Sequence, residues 1–326
     1  MSAFWFANAL LPSGWEREVR ITVADGVITS IQLAAAAQSD DERHTIALPG
    51  LANVHSHAFQ RGMAGLSECR GGNGHDNFWS WREIMYRFLD RLSPDDVEAV
   101  AAMAYAEMLE TGFTHVGEFH YLHLDTRGTA YANPAEMASR IASAARETGI
   151  GLTLLPVFYA HSNFGEEPPT NGQRRFINDI EGFARLYDAC RPMLSDGDRL
   201  GIAPHSLRAV SPVQLTDLIA LCSGGPIHIH AAEQHKEVQD CLAWSGERPV
   251  EWLLNHADLD DRWCLIHATH MTVTETEALA TSGAVAGLCP MTEANLGDGI
   301  FPARHFLKSG GQFGVGTDSN ILSAPA

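Results

Sequence analysis

Residues 48–57 read Leu48-Pro49-Gly50-Leu51-Ala52-Asn53-Val54-His55-Ser56-His57. Pro49 and Gly50 punctuate the entry to this apolar run, so we expect a β-strand from Ala52 to His57. Because residues i and i+2 of a strand point to the same face, His55 and His57 would present two imidazoles side by side. Imidazole is a common ligand of Zn²⁺, so the stretch predicts a metal-binding strand end.

A pair of histidines alone is weak support for a metal site. The chain has 16 histidines, and a buried, hydrogen-bonded histidine is a common structural feature. The rest of the sequence therefore decides between a metal ligand and a core histidine.

Length and charge limit the possible functions. A chain of 326 residues can form one (β/α)₈ barrel or two ordinary α/β domains. Its formal net charge of -18 disfavours nucleic acids and anionic membranes as partners, since both attract basic surfaces. An anionic substrate would also be repelled at long range, so its pocket would need arginine or lysine.

The six cysteines are widely spaced and form no C-x-x-C pair, which argues against a disulfide framework and favours a reducing cytoplasm. The same spacing disfavours the zinc deaminases that act on flipped bases through a P-C-x-x-C ligand pair. Residues 1–11 are apolar but lack a basic n-region, so we expect no signal peptide. The apolar runs fall short of the roughly eighteen residues that a membrane span needs.

Residues 1–47 are expected to form a small β-element that precedes the main domain at residues 48–326. The β-rich runs at residues 20–23 and 27–31 flank Asp25-Gly26, and this arrangement is typical of a hairpin. Residues 34–43 are expected to be a connector.

From residue 48 onward, short apolar runs alternate with helical patterns. One helix start is Ser93-Pro94-Asp95-Asp96, with Ser93 as the N-cap and Pro94 as the first helical residue. The apolar runs predict eight strands, at residues 52–57, 113–119, 151–157, 199–204, 226–230, 262–267, 284–290 and 312–318. Eight successive β-then-α units predict a closed parallel (β/α)₈ TIM barrel.

Polar side chains recur at the C-terminal ends of the predicted strands, where barrel enzymes carry their active sites. They are His55, His57, Glu118, His120, Tyr159, His161, His205, His230, His267 and Asp318. Any one of them fits a hydrogen-bonded core residue. A set gathered at one end of the strands favours a functional site.

The segment at residues 228–233 places a carboxylate, Glu233, three residues after a candidate ligand, His230. In metal-assisted hydrolysis the metal holds water and a carboxylate moves its proton. His230 is preferred because it lies nearer the strand end, and His228, which is in phase with it, stays an alternative ligand. Glu237 is the competing carboxylate, and we expect it to lie in the next helix, exposed to solvent.

Asp318 closes the last predicted strand, in Gly316-Thr317-Asp318-Ser319-Asn320. The alternative role for such an aspartate is a helix N-cap. With His55, His57 and His230 it makes four nitrogen and oxygen ligands with one position open to water, which fits a single Zn²⁺, with Fe²⁺ as the alternative. A carbamylated lysine that bridges two metals is not expected, because no lysine ends a middle strand.

These residues resemble those of the amidohydrolase superfamily. The His-X-His of its first strand, the histidines of its fifth and sixth strands and the aspartate of its eighth all have counterparts here. His230 followed by Glu233 is similar to the mononuclear deaminase branch. Residues 53–62, 117–123 and 203–210 are similar to the subfamily of that branch that acts on N-formimidoyl-L-glutamate in histidine degradation, and the resemblance covers essentially the whole chain.

The resemblance implies hydrolytic deimination of N-formimidoyl-L-glutamate, a small anionic amidine, to N-formyl-L-glutamate and ammonia, by a cytoplasmic enzyme with one divalent metal. The implied metal ligands are His55, His57, His230 and Asp318. The implied catalytic residues are Glu233 as proton shuttle, His267 as the group that polarises water or substrate, and Asp318. The implied substrate-binding residues are Gln60, Arg82, Tyr121, His205 and Arg208. A homodimer is a candidate assembly.

An anionic substrate in a chain of this charge needs a guanidinium, whose fork matches a carboxylate. Arg208 lies just beyond the strand that ends at His205, so we expect it to be the clamp. Arg82 is the second candidate, and the alternative for it is a surface position on an aromatic helix.

In the family that the chain resembles, a last helix and further strands follow the metal-binding aspartate. Those strands pair with the N-terminal β-element to form a composite β-sandwich. The present sequence ends at Ala326, so we expect a barrel truncated after its eighth strand.

Two other functions stay open at this point. One is a deaminase of the same branch that acts on a purine, pterin or triazine, whose pocket would stack a flat ring without paired arginines. The other is a non-catalytic metal-binding descendant, which the loss of a ligand or of Glu233 would favour.

Overall fold

The computed structural model describes residues 1–67 and 78–321, with the backbone alone for residues 78–80. The chain divides into two compact units, Met1–Leu51 and Ala52–Ala326. Cys69 and the residues after Ile321 lie outside the described part. The described cysteines are buried free thiols, so none of them is held in a disulfide.

The first unit is a sheet of strands β1 (Ser2–Leu11), β2 (Gly14–Ala24), β3 (Val27–Gln32) and β4 (Glu42–Ala47). Strand β2 pairs antiparallel with both β1 and β3. The expected hairpin is confirmed, because Asp25 and Gly26 join β2 to β3 with positive φ angles of 50° and 79°, as a tight hairpin turn requires. The expected connector at residues 34–43 is shorter than predicted, because β4 begins at Glu42 and pairs in parallel with β1.

The second unit is a ring of parallel strands. They are β5 (Leu51–Ser56), β6 (Phe113–His120), β7 (Gly151–Phe158), β8 (Arg199–Leu200), β9 (Ala203–Pro204), β10 (Ile227–Ala231), β11 (Trp263–His267), β12 (Val285–Leu288) and β13 (Gln312–Val315). Their hydrogen-bonded order is β10-β11-β12-β13-β5-β6-β7-β8, with β9 also paired to β7. Bridges from Ile202 to Ile227 and from Ser206 to His230 close the ring. The predicted (β/α)₈ barrel is therefore confirmed.

The fourth position of the barrel is less regular than the single strand predicted at residues 199–204. Two short pieces, β8 and β9, occupy it, and Gly201 lies between them. A Cβ atom on Gly201 would lie 2.3 Å from the carbonyl oxygen of Pro226. Only glycine allows this close approach of two backbones, which interrupts the regular ladder.

Helices follow the strands around the ring. They are α1 (Phe78–Leu89), α2 (Pro94–Glu110), α3 (Glu136–Thr148), α4 (Ile180–Cys190), α5 (Pro212–Leu221), α6 (His235–Ser245), α7 (Pro249–His256), α8 (Val273–Ser282), α9 (Pro290–Leu296) and α10 (Ala303–Lys308). The predicted helix start at Ser93 is confirmed by a capping box, in which the Asp96 carboxylate accepts from the Ser93 N–H at 2.9 Å. In the described part of the chain, every helix is too short or too polar to cross a bilayer.

Most of the buried apolar side chains described in the second unit form one large cluster, and Cys264, Ile266 and Cys289 form a smaller one. The large cluster includes Leu154 and Ile229 from the strands and Leu218 from a helix, each without exposed surface. Burial of this kind fixes the strands to the helices, so that the strand ends and the loops after them are held in place.

Candidate metal centre at the strand ends

The ends of β5, β10 and β13 bring three imidazoles and a carboxylate together. Nε2 of His55 lies 3.1 Å from Nε2 of His57 and 3.1 Å from Nε2 of His230. One carboxylate oxygen of Asp318 lies 3.5 Å from His55 Nε2 and 3.3 Å from His57 Nε2. All four side chains are buried, so these four residues, predicted from distant segments, form one cluster.

Backbone carbonyls fix the orientation of two of the rings. Nδ1 of His57 lies 2.9 Å from the carbonyl oxygen of Phe119, and Nδ1 of His230 lies 3.0 Å from that of His205. A carbonyl only accepts, so each Nδ1 carries the proton and each Nε2 presents a lone pair. Burial lowers the pKa of His55 to about 3, and it also lowers the pKa values of His57 and His230, which keeps the rings neutral.

The cluster fits a divalent cation. The lone pairs of His57 and His230 and the oxygen of Asp318 surround His55 Nε2, and a single proton on that nitrogen cannot satisfy all three acceptors. A buried set of nitrogen and oxygen donors with this shortage of protons matches the ligand preference of Zn²⁺. The carbonyls behind His57 and His230 also match the outer shell that orients histidine ligands in metal sites.

The backbone around Asp318 ties β13 to β5. The Asp318 N–H donates to the His55 carbonyl at 3.0 Å, and the His57 N–H donates to the Asp318 carbonyl at 2.8 Å. Asp318 has a φ angle of 56°, a strained conformation for a residue with a side chain that persists where the surroundings impose it. Its carboxylate is therefore held beside both histidines by main-chain contacts as well as by its own.

Glu233 and His267 lie beside the cluster. Oε1 of Glu233 is 3.8 Å from Nε2 of His267. Burial raises the pKa of Glu233 to about 7, a suitable range for a group that takes and returns a proton near neutral pH. Burial lowers the pKa of His267, but the nearby carboxylates, Glu233 first, outweigh burial and raise that pKa to about 10.

The prediction that Glu237 is exposed to solvent is wrong. Its side chain is 3% exposed. Its two carboxylate oxygens accept from the backbone N–H groups of Ala232 at 3.2 Å and Glu233 at 3.0 Å. Glu237 thus holds the loop that carries Glu233, because those N–H groups would otherwise be buried without partners.

One cavity contains the remaining predicted residues. Its lining includes Gln60, Arg82, Tyr121, His205 and Arg208, together with His57, His230, Glu233, His267 and Asp318. His55 lies beneath this surface, fully buried. Every residue predicted to bind the metal, to act in catalysis or to bind the substrate therefore lines the cavity or, like His55, lies against a residue that does.

The two arginines differ in their surroundings. The Nε–H of Arg208 is buried and has no protein acceptor within the described residues. Nε of Arg82 donates to the hydroxyl of Tyr86, whose ring centroid lies 5.3 Å from the guanidinium carbon. Arg82 therefore lines the cavity rather than the outer surface of α1, and Arg208 has a buried donor that no described protein group accepts.

Sequence reasoning missed several aromatic residues of the cavity, among them Tyr86 and Phe176. Tyr86 lies four residues after Arg82 on α1, and this spacing on one helix face was the available signal. In contrast, two strand-end residues of the predicted set, Glu118 and His161, have other contacts: Glu118 accepts from the Ala58 N–H at 2.8 Å, and His161 pairs with Gln214 at 3.0 Å.

The barrel and the strand-end cluster define the class of this protein, and the chain belongs to the amidohydrolase family. Residues 46–324 match the sequence profile described as "Amidohydrolase family". Residues 1–45 match the profile described as "Formimidoylglutamate deiminase HutF, N-terminal domain". The resemblance inferred from the sequence is thereby confirmed.

Among curated proteins, the chain is 53% identical over 324 residues to formimidoylglutamate deiminase of Pseudomonas aeruginosa. The aligned region covers 98% of this chain and 71% of that protein. The chain is 27% identical to a 5-methylthioadenosine/S-adenosylhomocysteine deaminase of Natronomonas pharaonis, over 87% of this chain and 60% of that one.

Among solved structures, an amidohydrolase from Brucella melitensis is 59% identical, with a TM-score of 0.96 over 99% of this chain and 72% of that chain. A zinc-bound adenosine deaminase from Xanthomonas campestris, 21% identical, has a TM-score of 0.76 over 99% of this chain and 70% of that chain, and it shares the fold.

Proposed function

We propose that this chain catalyses the hydrolytic deimination of N-formimidoyl-L-glutamate to N-formyl-L-glutamate and ammonia. The observation that carries the proposal is that one cavity is lined by three of the four proposed metal ligands, with His55 directly beneath them, and also by the buried carboxylate of Glu233 and the guanidinium groups of Arg82 and Arg208. The first two suit hydrolysis of a carbon–nitrogen bond, and the guanidiniums suit a substrate with carboxylates. The 53% identity to a formimidoylglutamate deiminase supports the same activity.

His55, His57, His230 and Asp318 would hold one divalent metal, and we propose Zn²⁺. The mixed nitrogen and oxygen donors favour zinc, with Fe²⁺ as the alternative. When bound, such a cation supplies Lewis acidity, which lowers the pKa of water and polarises the group under attack.

Glu233 is the proton shuttle in this mechanism. Its pKa of about 7 lets it accept a proton from the attacking water and return it to the departing nitrogen. The oxygen of water bonds to the formimidoyl carbon, the bond from that carbon to the terminal nitrogen breaks, and the nitrogen leaves as ammonia. His267, with Nε2 3.8 Å from Glu233, and Asp318 would orient the water and the substrate.

Substrate orientation is assigned to the other polar residues of the cavity. Arg208 would bind a substrate carboxylate, since its buried Nε–H lacks a protein acceptor. Arg82 would assist it. Gln60, whose amide donates to the Tyr121 hydroxyl at 2.5 Å, would hold the amidine end with Tyr121 and His205.

A substrate panel tests the proposed function. The zinc-loaded chain should release ammonia from N-formimidoyl-L-glutamate and not from guanine or adenosine. Preference for a purine would favour a deaminase that acts on a flat ring. The cavity makes this a specific alternative, because Tyr86, Tyr159 and Phe176 in its lining are aromatic. Release from none of the three compounds would contradict the proposal and favour a non-catalytic descendant.

Replacement of Arg208 should weaken substrate binding. Arg208→Met removes a charge-assisted contact worth about 1.5–3 kcal/mol, so KM should rise roughly 10–100-fold while kcat changes less. Steady-state kinetics of ammonia release measure both quantities. Arg127→Met is the control, because the Arg127 side chain is 81% exposed and its described partner is Asp125. An unchanged KM for Arg208→Met would count against the clamp.

Replacement of Gly316 should disturb the metal site through packing. A Cβ on Gly316 would lie 2.8 Å from the Cβ of His55 and 2.9 Å from its carbonyl oxygen. Gly316→Ala should lower the free energy of unfolding by about 1–3 kcal/mol and weaken zinc affinity about tenfold or more. Gly314→Ala is the matched control, since its Cβ would meet the side chain of Val54, 2.4 Å away. Denaturant unfolding and zinc titration should separate the variants, and equal zinc affinities would refute the packing role.

We further propose a cytoplasmic location and a homodimer. Buried free thiols are typical of a reducing compartment, and two-fold dimers are the commonest assemblies of soluble proteins. Sedimentation should give a species of twice the 35.4 kDa chain mass, and a monomer at enzyme concentrations would contradict the dimer.

A further inference from the structure

Glu293 is a buried carboxylate that the proposed mechanism does not use. It lies on α9, which follows β12, and its side chain is 6% exposed. Its Oε1 accepts from the backbone N–H of Cys289 at 2.9 Å and lies 3.3 Å from Nδ1 of His267. The same oxygen thus contacts the start of its own helix and a ring of the site.

The ring of His267 is placed between two carboxylates. Nδ1 faces Glu293, and Nε2 faces Glu233 at 3.8 Å. The ring also stacks on that of His230, with centroids 5.5 Å apart and an interplanar angle of 17°. Its backbone has a φ angle of 67°, which is uncommon for a residue with a side chain and is found where a site imposes it.

We propose that Glu293 is a positioning residue: it accepts the Nδ1–H of His267, which fixes the plane of the ring and leaves Nε2 directed at Glu233 and the cavity. An ionised carboxylate is a stronger acceptor for this N–H than a neutral group. Comparable outer contacts to histidines elsewhere fix which ring nitrogen reacts. The catalytic consequence of this role rests on the proposed function.

Helix capping alone would not require the contact with His267. Glu275 makes a comparable contact at the start of α8, one position nearer the N-cap. Its carboxylate accepts from the Thr272 N–H at 2.7 Å and also contacts Arg248 and the Glu251 N–H. Both glutamates are buried. The side-chain oxygen of glutamine can accept the same backbone N–H groups, so Glu293→Gln and Glu275→Gln make paired variants that keep these contacts and replace the carboxylate.

Kinetics test the effect on the reaction. Glu293→Gln should lower kcat for N-formimidoyl-L-glutamate about 10–100-fold with KM within about threefold, because the ring and not the substrate is disturbed. Glu275→Gln should keep kcat. In a His267→Asn background, Glu293→Gln should add no further loss, since its effect passes through the ring. Wild-type kcat for Glu293→Gln, or full additivity with His267→Asn, would overturn the inference.

Nuclear magnetic resonance tests the contact without a substrate. In protein with ¹⁵N-labelled histidine, long-range ¹H–¹⁵N correlations distinguish the protonated from the unprotonated ring nitrogen, and His267→Asn assigns the signals. The wild-type chain should show a proton on Nδ1 of His267. An unprotonated Nδ1 would refute the role of Glu293 whether or not the chain acts on N-formimidoyl-L-glutamate. A wild-type chain that releases no ammonia would instead refute the proposed function.

Discussion

Glu233→Gln is expected to lower kcat for N-formimidoyl-L-glutamate by about 10²–10⁴-fold, the usual contribution of a positioned acid–base group. Glutamine has nearly the same shape but cannot take a proton from water or return one to the leaving nitrogen. The pKa of Glu233, which burial raises to about 7, makes the native side chain suited to both steps. Ammonia release under saturating substrate measures the loss.

Metal content is the control for this variant. Glu233 is not one of the four proposed ligands, so Glu233→Gln should bind as much zinc as the wild-type chain. Elemental analysis of both proteins after dialysis gives the comparison. Turnover close to that of the wild type would remove Glu233 from the mechanism, and loss of zinc from the variant would show that Glu233 acts as a ligand instead.

His230→Ala is expected to abolish turnover through loss of the metal. The variant removes one of the two imidazoles whose Nε2 atoms lie 3.1 Å from Nε2 of His55. A zinc site that loses a protein ligand binds the metal far more weakly. The wild-type chain should gain thermal stability when zinc is added, because a ligand that binds only the folded state stabilises it. His230→Ala should gain little.

His228→Ala separates this prediction from general damage to the strand. His228 lies two residues earlier on β10, is buried, and has an unpartnered Nδ1 within the described residues. It is not in the group of close ligand atoms that His230 forms with His55 and His57. His228→Ala should therefore keep zinc and activity despite some loss of stability. The opposite result, with zinc lost from the His228 variant alone, would reassign the ligand.

The grouping of His55, His57, His230 and Asp318 could be predicted from the sequence because it follows from the topology of the barrel. Parallel strands in a closed ring end at the same rim, so His57, His230 and Asp318 meet although they are far apart in the chain. The two-residue period of a strand then explains why His55 and His57 share a face. Neither step requires knowledge of side-chain packing.

The contacts made by loops and helix starts could not be predicted in the same way. Glu237 looked like a solvated helix residue, yet its carboxylate binds the backbone N–H groups of the Glu233 loop. Glu293 had no motif, because its contact with His267 depends on how α9 leaves β12. The parallel pairing of β4 with β1 is also non-local, and local sequence carries little information about such pairing.

Anomalous X-ray diffraction at the zinc absorption edge, from crystals of the zinc-loaded chain, tests the central claim most directly. We predict one peak, about 2.0–2.2 Å from Nε2 of His55, His57 and His230 and from a carboxylate oxygen of Asp318. The absence of a peak at this position, with the three imidazoles turned away from one another, would contradict the account.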